Sequence, residues 1–207
     1  MSNESSSEAF RSAIAQAVAT LQAGELVVFP TETFYGIAAD PESSDALEKI
    51  VAIKGREPDK PIALIAADMD AAFSVASHVP ETARKLARAF WPGPLTLVLP
   101  ARSGLHDALK GPNGVGVRVS PHPVARALSA AFGKPITATS ANLSGTPAIA
   151  DALQVREVFA GRIKVILEDG RLAGGAPSTV VEFTESGYRI VREGAVSAAA
   201  IAQVIAT

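Results

Sequence analysis

The chain has 207 residues, of which 48% are hydrophobic, and its formal net charge at pH 7 is −2. This length and hydrophobic share predict one globular domain with a buried core, and the small negative charge excludes a global positive field that would hold nucleic acid. The chain contains no cysteine, which excludes disulfides, thiolate nucleophiles and cysteine-ligated zinc sites.

The beginning of the chain does not resemble a targeting signal. Residues 1–8 are polar and acidic, whereas a secretory signal needs a basic start and an apolar run. Charges interrupt the apolar stretches well before the ~20 residues that a membrane span requires. We therefore expect a soluble, cytoplasmic protein that has no membrane partner.

Helical and extended hydrophobic patterns alternate along the chain. We expect helices at residues 8–23, 44–53, 69–77, 81–90, 123–132 and 151–160, and a last one that follows Ser197. We expect strands at residues 26–29, 62–66, 95–99, 115–119, 135–139, 163–167, 179–183 and 188–191, the last two as a hairpin. Because hairpin-like pairs interrupt the alternation, the pattern favours an α/β fold with a mixed, twisted open sheet and flanking helices.

Several helix ends carry capping signals. Ser5 and Glu8 have the spacing of a capping box at the start of the first helix. Gly24 and Gly133 are placed to end helices, and Ser197 is placed as the N-cap of the last one.

Two strands are followed by small polar side chains. Thr31, Thr33 and Tyr35 come after the first predicted strand, at the kind of position where α/β proteins place ligands. Thr139, Ser140 and Asn142 end the strand at 135–139, and their hydroxyl and amide groups suit phosphate oxygens or a nucleotide. For both segments a turn or a helix cap, with side chains bonded to the backbone, is the competing interpretation.

Three basic residues occur in positions that need an explanation. Lys54 and Arg56 stand where a predicted helix ends, so they either interact with the helix C-terminus or supply a point charge and a planar fork for phosphate or carboxylate oxygens. Arg118 lies inside an apolar strand, where a charge has to be paired or to face a cleft. Facing a cleft, it is a natural partner for a substrate carboxylate.

Sites of other kinds are not indicated. The chain has no P-loop, and the segment at Gly114 and Gly116 lacks the third glycine of a dinucleotide fingerprint. The three histidines do not have zinc-ligand spacing, so we predict no protein metal site.

Six segments, taken in chain order, resemble the hallmarks of the YrdC-like domain of the threonylcarbamoyl-AMP synthase family. They are residues 30–36, the pair Lys54 and Arg56, residues 91–96, residues 115–118, the pair Ser140 and Asn142, and residues 177–179. Each segment alone is unspecific, but six in order are very specific, and the resemblance covers roughly residues 10–200. It implies the YrdC-like fold and a single catalytic domain over residues 1–207.

The chain departs from the family pattern at two positions. Ser120 stands where a proline usually follows the arginine by two residues, and Glu57 stands between Arg56 and Pro58. Neither position belongs to the Lys-x-Arg or Ser-x-Asn pair.

The resemblance implies a nucleotidyltransferase that starts a tRNA modification. It would combine L-threonine, bicarbonate or CO2, and ATP into threonylcarbamoyl-adenylate and pyrophosphate, and a separate complex would transfer the product to tRNA. Mg²⁺ would arrive with ATP and be held mostly by phosphate oxygens and water. Weak binding of tRNA by the chain itself stays open.

The resemblance also assigns residues to roles. Lys54 and Arg56 are the expected catalytic residues. The expected ATP-binding residues are Lys54, Arg56, Ser140, Asn142 and Arg192. The expected threonine-binding residues are Thr31, Thr33, Tyr35, Arg118, Thr139 and Ser178, with Arg118 taking the carboxylate.

Three other functions compete with this one. The carbamoyl-adenylate-forming domain of hydrogenase maturation proteins belongs to long chains with cysteine zinc motifs, which this chain lacks. A non-catalytic RNA-binding module of the same fold would use the site as a phosphate groove. A structural protein without a ligand would leave Arg118 in its strand unexplained.

Overall fold

Two mixed β-sheets and seven helices make up the described part of the chain. The structure is a computed structural model that describes residues 2–55, 61–184 and 187–206, with side chains from residue 6 onward. The helices are α1 (Ser2–Gln22), α2 (Ser44–Lys54), α3 (Met69–Phe73), α4 (Glu81–Phe90), α5 (Pro123–Phe132), α6 (Ala152–Phe159) and α7 (Ala198–Ala206), with a 3₁₀ turn at Asp107–Leu109.

The strands divide between the two sheets. They are β1 (Val27–Pro30), β2 (Tyr35–Ala38), β3 (Leu64–Ala66), β4 (Leu95–Leu99), β5 (Lys110–Gly111), β6 (Gly114–Val119), β7 (Ile136–Thr137), β8 (Thr139–Ser140), β9 (Val165–Ile166), β10 (Thr179–Thr184) and β11 (Gly187–Arg192). One sheet has the order β8-β2-β1-β9, and the other has the order β11-β10-β4-β6-β3-β7 with β5 beside β6.

Both sheets mix parallel and antiparallel pairs, which confirms the predicted α/β class. The pairs β1–β9, β4–β10 and β3–β6 are parallel, whereas β1–β2, β4–β6 and the β10–β11 hairpin are antiparallel. The structure has two sheets where a single sheet was predicted. The hydrophobic pattern could not reveal this, because it does not say which strands pair.

Several predicted boundaries agree with the structure and others do not. The helices at 81–90 and 123–132 and the strand at 95–99 have the predicted bounds. Gly133 ends α5 with φ 79°, and the Ser197 hydroxyl accepts a hydrogen bond from the Ala200 N–H at 3.2 Å. The capping box at Ser5 is wrong, because α1 already begins at Ser2 and Ser5 lies inside it.

Two buried clusters stabilise this arrangement. The larger one packs α2, α4, α6 and α7 against the sheets, and the smaller one packs α1 and α5 against β1 and Ile65 of β3. Among the described helices, none has the length and apolar character that crossing a membrane requires.

The segment 136–140 connects the two sheets. Its first half, β7, pairs with β3 in the larger sheet, and its second half, β8, pairs with β2 in the smaller one. At this junction the buried Thr137 hydroxyl accepts from the Ala39 N–H at 2.7 Å and donates to the Ile37 carbonyl at 3.2 Å. One side chain therefore ties the end of β2 to the neighbouring sheet.

We expect Thr137→Val to lower the free energy of unfolding by about 1–3 kcal/mol, because it removes the acceptor of a buried N–H while keeping the side-chain shape. Thr137→Ser keeps the hydroxyl and should lose less. Urea denaturation of the three proteins measures both effects. A Ser variant less stable than the Val variant would show that the methyl group, and not the hydroxyl, is what matters at this junction.

Candidate functional site

A cavity of about 840 Å³ lies between the two sheets. Alternate residues of β10, β4 and β6 in the larger sheet form one wall. The other wall comes from the smaller sheet and the turn that precedes β2, including Thr31, Tyr35 and Thr139. The cavity therefore exists where polar residues that follow strands of one sheet face the strands of the other.

Most of the predicted site residues line this cavity. They are Thr31, Thr33, Tyr35, Arg118, Thr139, Ser140, Asn142, Ser178 and Arg192. Lys54 does not line it but contacts two residues that do. Arg56 lies outside the described residues, so its role stays a prediction from the sequence.

Arg118 faces the cavity and is also paired. Its Nη1 donates to Glu32 Oε1 at 2.7 Å, and both side chains are largely buried, with 12% and 17% of their surfaces exposed. The Ser120 hydroxyl, which is fully buried, donates to the other Glu32 oxygen at 2.6 Å. The prediction that this strand arginine is paired or faces a cleft is thus confirmed on both counts.

The Glu32 carboxylate is stabilised in its charged form. Burial by itself raises the pKa of Glu32, but the Arg118 charge and the hydrogen bonds from Ser120 and Arg118 outweigh burial, so the pKa lies below its ordinary value of 4.5. Glu32 therefore carries a negative charge at neutral pH and holds the arginine fork in one orientation.

The same network continues into the loop that follows β9. The Ser120 oxygen also accepts from the His122 N–H at 3.2 Å, and His122 Nε2 lies 3.0 Å from an Asp169 carboxylate oxygen. The Asp169 N–H donates to the Tyr35 hydroxyl at 3.0 Å, and that hydroxyl donates to the Gly170 carbonyl at 2.9 Å. The buried Tyr35 hydroxyl is therefore occupied by the backbone, a structural role that sequence reasoning did not predict.

The polar turn before β2 is capped by its own side chain and also lines the cavity. The buried Thr31 hydroxyl donates to the Phe34 carbonyl at 2.6 Å and accepts from the N–H groups of Thr33 and Phe34 at 3.3 Å. Thr31 thus caps the turn, as the competing interpretation predicts. Both Thr31 and Thr33 nevertheless line the cavity.

Lys54 organises the segment that follows β8. Gly55 ends α2 in the left-handed conformation, with φ 57°. The Lys54 ammonium, with its side chain mostly buried, donates to the Ser140 carbonyl at 2.6 Å and to Asn142 Oδ1 at 3.0 Å. The Asn142 amide group in turn donates to the Leu143 carbonyl at 2.9 Å. The lysine therefore fixes the positions of two predicted site residues.

Arg192 reaches the cavity at a β-bulge. Val180 pairs with Arg192 and Val181 with Ile190, so Val191 is an extra residue on β11. This insertion lets Val191 and Arg192 both line the cavity, while Ile190 packs on the core.

Ser178, which directly precedes β10, anchors Arg192. The guanidinium donates to the Ser178 carbonyl at 3.1 and 2.8 Å, and the Ser178 hydroxyl lies 2.9 Å from that of Thr96. Partial burial, followed by the nearby charge of Arg118, lowers the pKa of Arg192. The two arginines thus bring two positive charges to one cavity.

Sequence reasoning missed several residues of this cavity. Glu32 and Thr96 belong to segments that matched the family but had no role, and Ser120 was noted only as a departure from its pattern. Asn113, Glu182 and Arg189 line the cavity as well. Glu182 is a charge inside the apolar strand β10, which is a sequence signal of the same kind as Arg118 in its strand.

Within the described residues, no group of three or more His, Asp or Glu side chains is placed to hold a metal ion.

The chain matches a protein-family model. The Sua5/YciO/YrdC model, described as Telomere recombination, matches residues 19–194. The match covers most of the chain, and the chain therefore belongs to the Sua5/YciO/YrdC family.

Several members of this family carry the name threonylcarbamoyl-AMP synthase. The Bacillus subtilis protein of that name is 40% identical over 93% of this chain and 56% of its own length. A putative threonylcarbamoyl-AMP synthase of Mycobacterium tuberculosis is 38% identical over 93% of this chain and 88% of its own.

Solved structures agree with these sequence matches. The crystal structure of P. abyssi Sua5 complexed with L-threonine superposes with a TM-score of 0.88 and 38% identity, over 93% of this chain and 57% of that one. The chain thus spans little more than half the length of the Bacillus and Pyrococcus relatives.

We predict that Ser120→Ala raises the pKa of Glu32, because the carboxylate loses a hydrogen bond that favours its charged form. Ser129→Ala is a matched control, since it removes another buried hydroxyl, one that donates to the Lys134 carbonyl. NMR titration of the Glu32 carboxyl carbon gives the pKa in each protein. An identical pKa in wild type and Ser120→Ala would contradict the proposed network.

The same variant should change the acid stability. A carboxyl whose pKa is lowered on folding stabilises the protein above its unfolded-state pKa, and this stability is lost as the pH falls through the folded-state pKa. Ser120→Ala should therefore lose this contribution at a higher pH than wild type.

Proposed function

We propose that the cavity is the active site of a threonylcarbamoyl-AMP synthase. It would join L-threonine, bicarbonate or CO2, and ATP into threonylcarbamoyl-adenylate and release pyrophosphate, the first step of a tRNA modification. The names of the relatives and the L-threonine complex of P. abyssi Sua5 support this proposal.

The observation that supports this proposal most strongly is a pair of arginines in the cavity. Arg118 and Arg192 face the same cavity, and partial burial, followed by the charge of Arg118, lowers the pKa of Arg192. Glu32 balances Arg118, whereas the contacts of Arg192 in the described residues are to neutral oxygens of Ser178. Two neighbouring cations of this kind favour an anionic ligand.

The threonine end of the site would be built around Arg118. Arg118 Nη1 donates to Glu32. The other N–H groups of the guanidinium would bind the substrate carboxylate. Thr33, Thr139 and Ser178 line the cavity nearby, and with Thr31 and Tyr35 they complete the proposed threonine pocket.

The ATP end would use the residues that follow β8 and the end of α2. Ser140 and Asn142 line the cavity and are held by Lys54, so they would contact phosphate or ribose oxygens together with Arg192. Lys54 and Arg56 are the proposed catalytic residues. Mg²⁺ would enter with ATP as part of the substrate.

The proposed chemistry depends on positioning and electrostatics. The threonine amine would add to CO2 with loss of a proton, or to bicarbonate with loss of water. The resulting N-carboxylate would attack the α-phosphorus of ATP and displace pyrophosphate. Cations at the cavity would stabilise the charge on the attacking and leaving oxygens. We propose one catalytic unit that acts in the cytoplasm and hands its product to a separate tRNA-modifying complex.

We expect purified protein to release pyrophosphate only when ATP, threonine and bicarbonate are all present. A coupled pyrophosphate assay, with mass spectrometry of the adenylate, measures this, and omission of each substrate in turn is the control. Pyrophosphate release at the same rate without threonine would refute the synthase. Binding of an RNA oligonucleotide without any turnover would favour the RNA-binding module instead.

We expect Arg118→Ala to weaken threonine binding more than ATP binding, by about 2–5 kcal/mol, because the substrate carboxylate loses its charged partner. Since this change also leaves Glu32 unpaired, the double variant Glu32→Gln/Arg118→Met is tested beside it. Arg126→Ala, which removes an exposed arginine bonded to the Ala67 carbonyl, is the control. Equal increases in the KM values for threonine and ATP in both variants would show that Arg118 is a structural residue.

A further inference from the structure

Another polar cluster closes the end of the cavity away from Arg118. At its centre is Glu182 on β10, which is 5% exposed. Asn113, at the tip of the β5–β6 hairpin, donates from Nδ2 to Glu182 Oε1 at 2.5 Å. Arg189 on β11 donates from Nε and Nη2 to Glu182 Oε2 at 3.1 and 2.6 Å. All three residues line the cavity, and none has a role in the function proposed above.

The sheet register places this cluster at a distance from the cationic end. Four residues of extended chain separate Ser178 from Glu182, which corresponds to about 13 Å at ~3.3 Å per residue. Val180 lies between them, and Val98 and Gly116, which are level with Glu182 in the sheet, line the cavity as well. The cavity therefore has two polar ends joined by a largely apolar floor.

The two ends differ in charge. Arg118 and Arg192 make one end positive, whereas the buried Glu182 carboxylate neutralises Arg189 at the other end. A polyphosphate is attracted to the first end and disfavoured beside a buried carboxylate. The far end therefore suits a neutral, flat part of a ligand that has polar edges.

Glu182 also determines which atoms its partners present. An amide oxygen would repel the carboxylate, so the Asn113 NH2 group faces Glu182 and Oδ1 points away from it. Within the part of the chain that the structure describes, neither Asn113 Oδ1 nor Arg189 Nη1 has a hydrogen-bond partner. The cluster thus offers one acceptor and one donor side by side.

We propose that this cluster, Asn113–Glu182–Arg189, recognises the adenine edge of the nucleotide. The adenine amino group would donate to Asn113 Oδ1, and a neighbouring ring nitrogen would accept from Arg189. Guanine presents an oxygen acceptor where adenine has the amino donor, so the same pair of groups rejects it. The inference rests on ATP being the substrate of the proposed function.

The test is equilibrium binding of ATP and of GTP, measured by calorimetry without threonine or bicarbonate. We expect wild type to bind ATP at least about 10-fold more tightly than GTP, which is the discrimination of one good pair of base contacts. Asn113→Ala and Arg189→Lys should each lose most of this preference through weaker ATP binding. Arg189→Lys keeps a positive partner for Glu182, and Asn113 is an exposed turn residue, so both variants should fold.

The control is Lys110→Ala, on the same hairpin as Asn113. Lys110 pairs with Asp107 and is not among the residues that line the cavity, so its loss should leave the ATP preference unchanged. Equal weakening of ATP and GTP in the two cluster variants, or no preference in wild type, would overturn the inference.

Failure of this inference and failure of the proposed function give different results. If ATP is preferred but no adenylate forms when threonine and bicarbonate are added, base recognition stands and the synthase is refuted. If ATP gives threonylcarbamoyl-adenylate and GTP gives the corresponding guanylate at equal rates, the synthase stands and base recognition is refuted.

Discussion

The site depends on the passage of the chain from one sheet to the other at residues 136–140. A continuous strand there would belong to a single sheet, and the cavity would lack the wall that Thr139 and Ser140 provide. Instead, β7 pairs in one sheet and β8 pairs in the other, all within the five residues 136–140. The Thr137 hydroxyl satisfies backbone groups of the opposite sheet at this point, so the two walls are fixed relative to each other by a buried polar contact.

The Arg118–Glu32 pair illustrates what a buried charge does in such a cavity. Removing both ions from water is costly, and a pair of this kind contributes little net stability by itself. Its effect is on geometry, because Glu32 and Ser120 hold the guanidinium in one orientation. The further contacts through His122 and Asp169 extend this constraint to the loop after β9. An anion arriving at the cavity would therefore meet an arginine that is already positioned.

Sequence reasoning located the long, strongly patterned elements and the segments that line the cavity. The α5 helix is clear from its apolar face and from Gly133. The short strand β2, Tyr-Gly-Ile-Ala, was missed because it follows directly on a polar turn and contains glycine. The break in the strand at 135–139 was missed for a different reason, since local residues do not specify which sheet each half will join.

The site residues divide in a similar way. Arg118 stood out because a charge in an apolar strand needs an explanation. Its partner Glu32 lies 86 residues away in sequence, and Ser120, which bonds Glu32, is ordinary in local context. Their importance follows from tertiary distances of 2.6–2.7 Å, which neither periodicity nor spacing encodes.

The bulge at Val191 has a consequence for contacts between molecules. In the described residues β11 is an outer strand of the larger sheet, and a regular outer strand offers its free N–H and C=O groups to a strand of another chain. The extra residue interrupts that regular row, and Arg189 and Arg192 add charge along the same strand. The irregularity that turns Arg192 toward the cavity therefore also works against edge-to-edge aggregation.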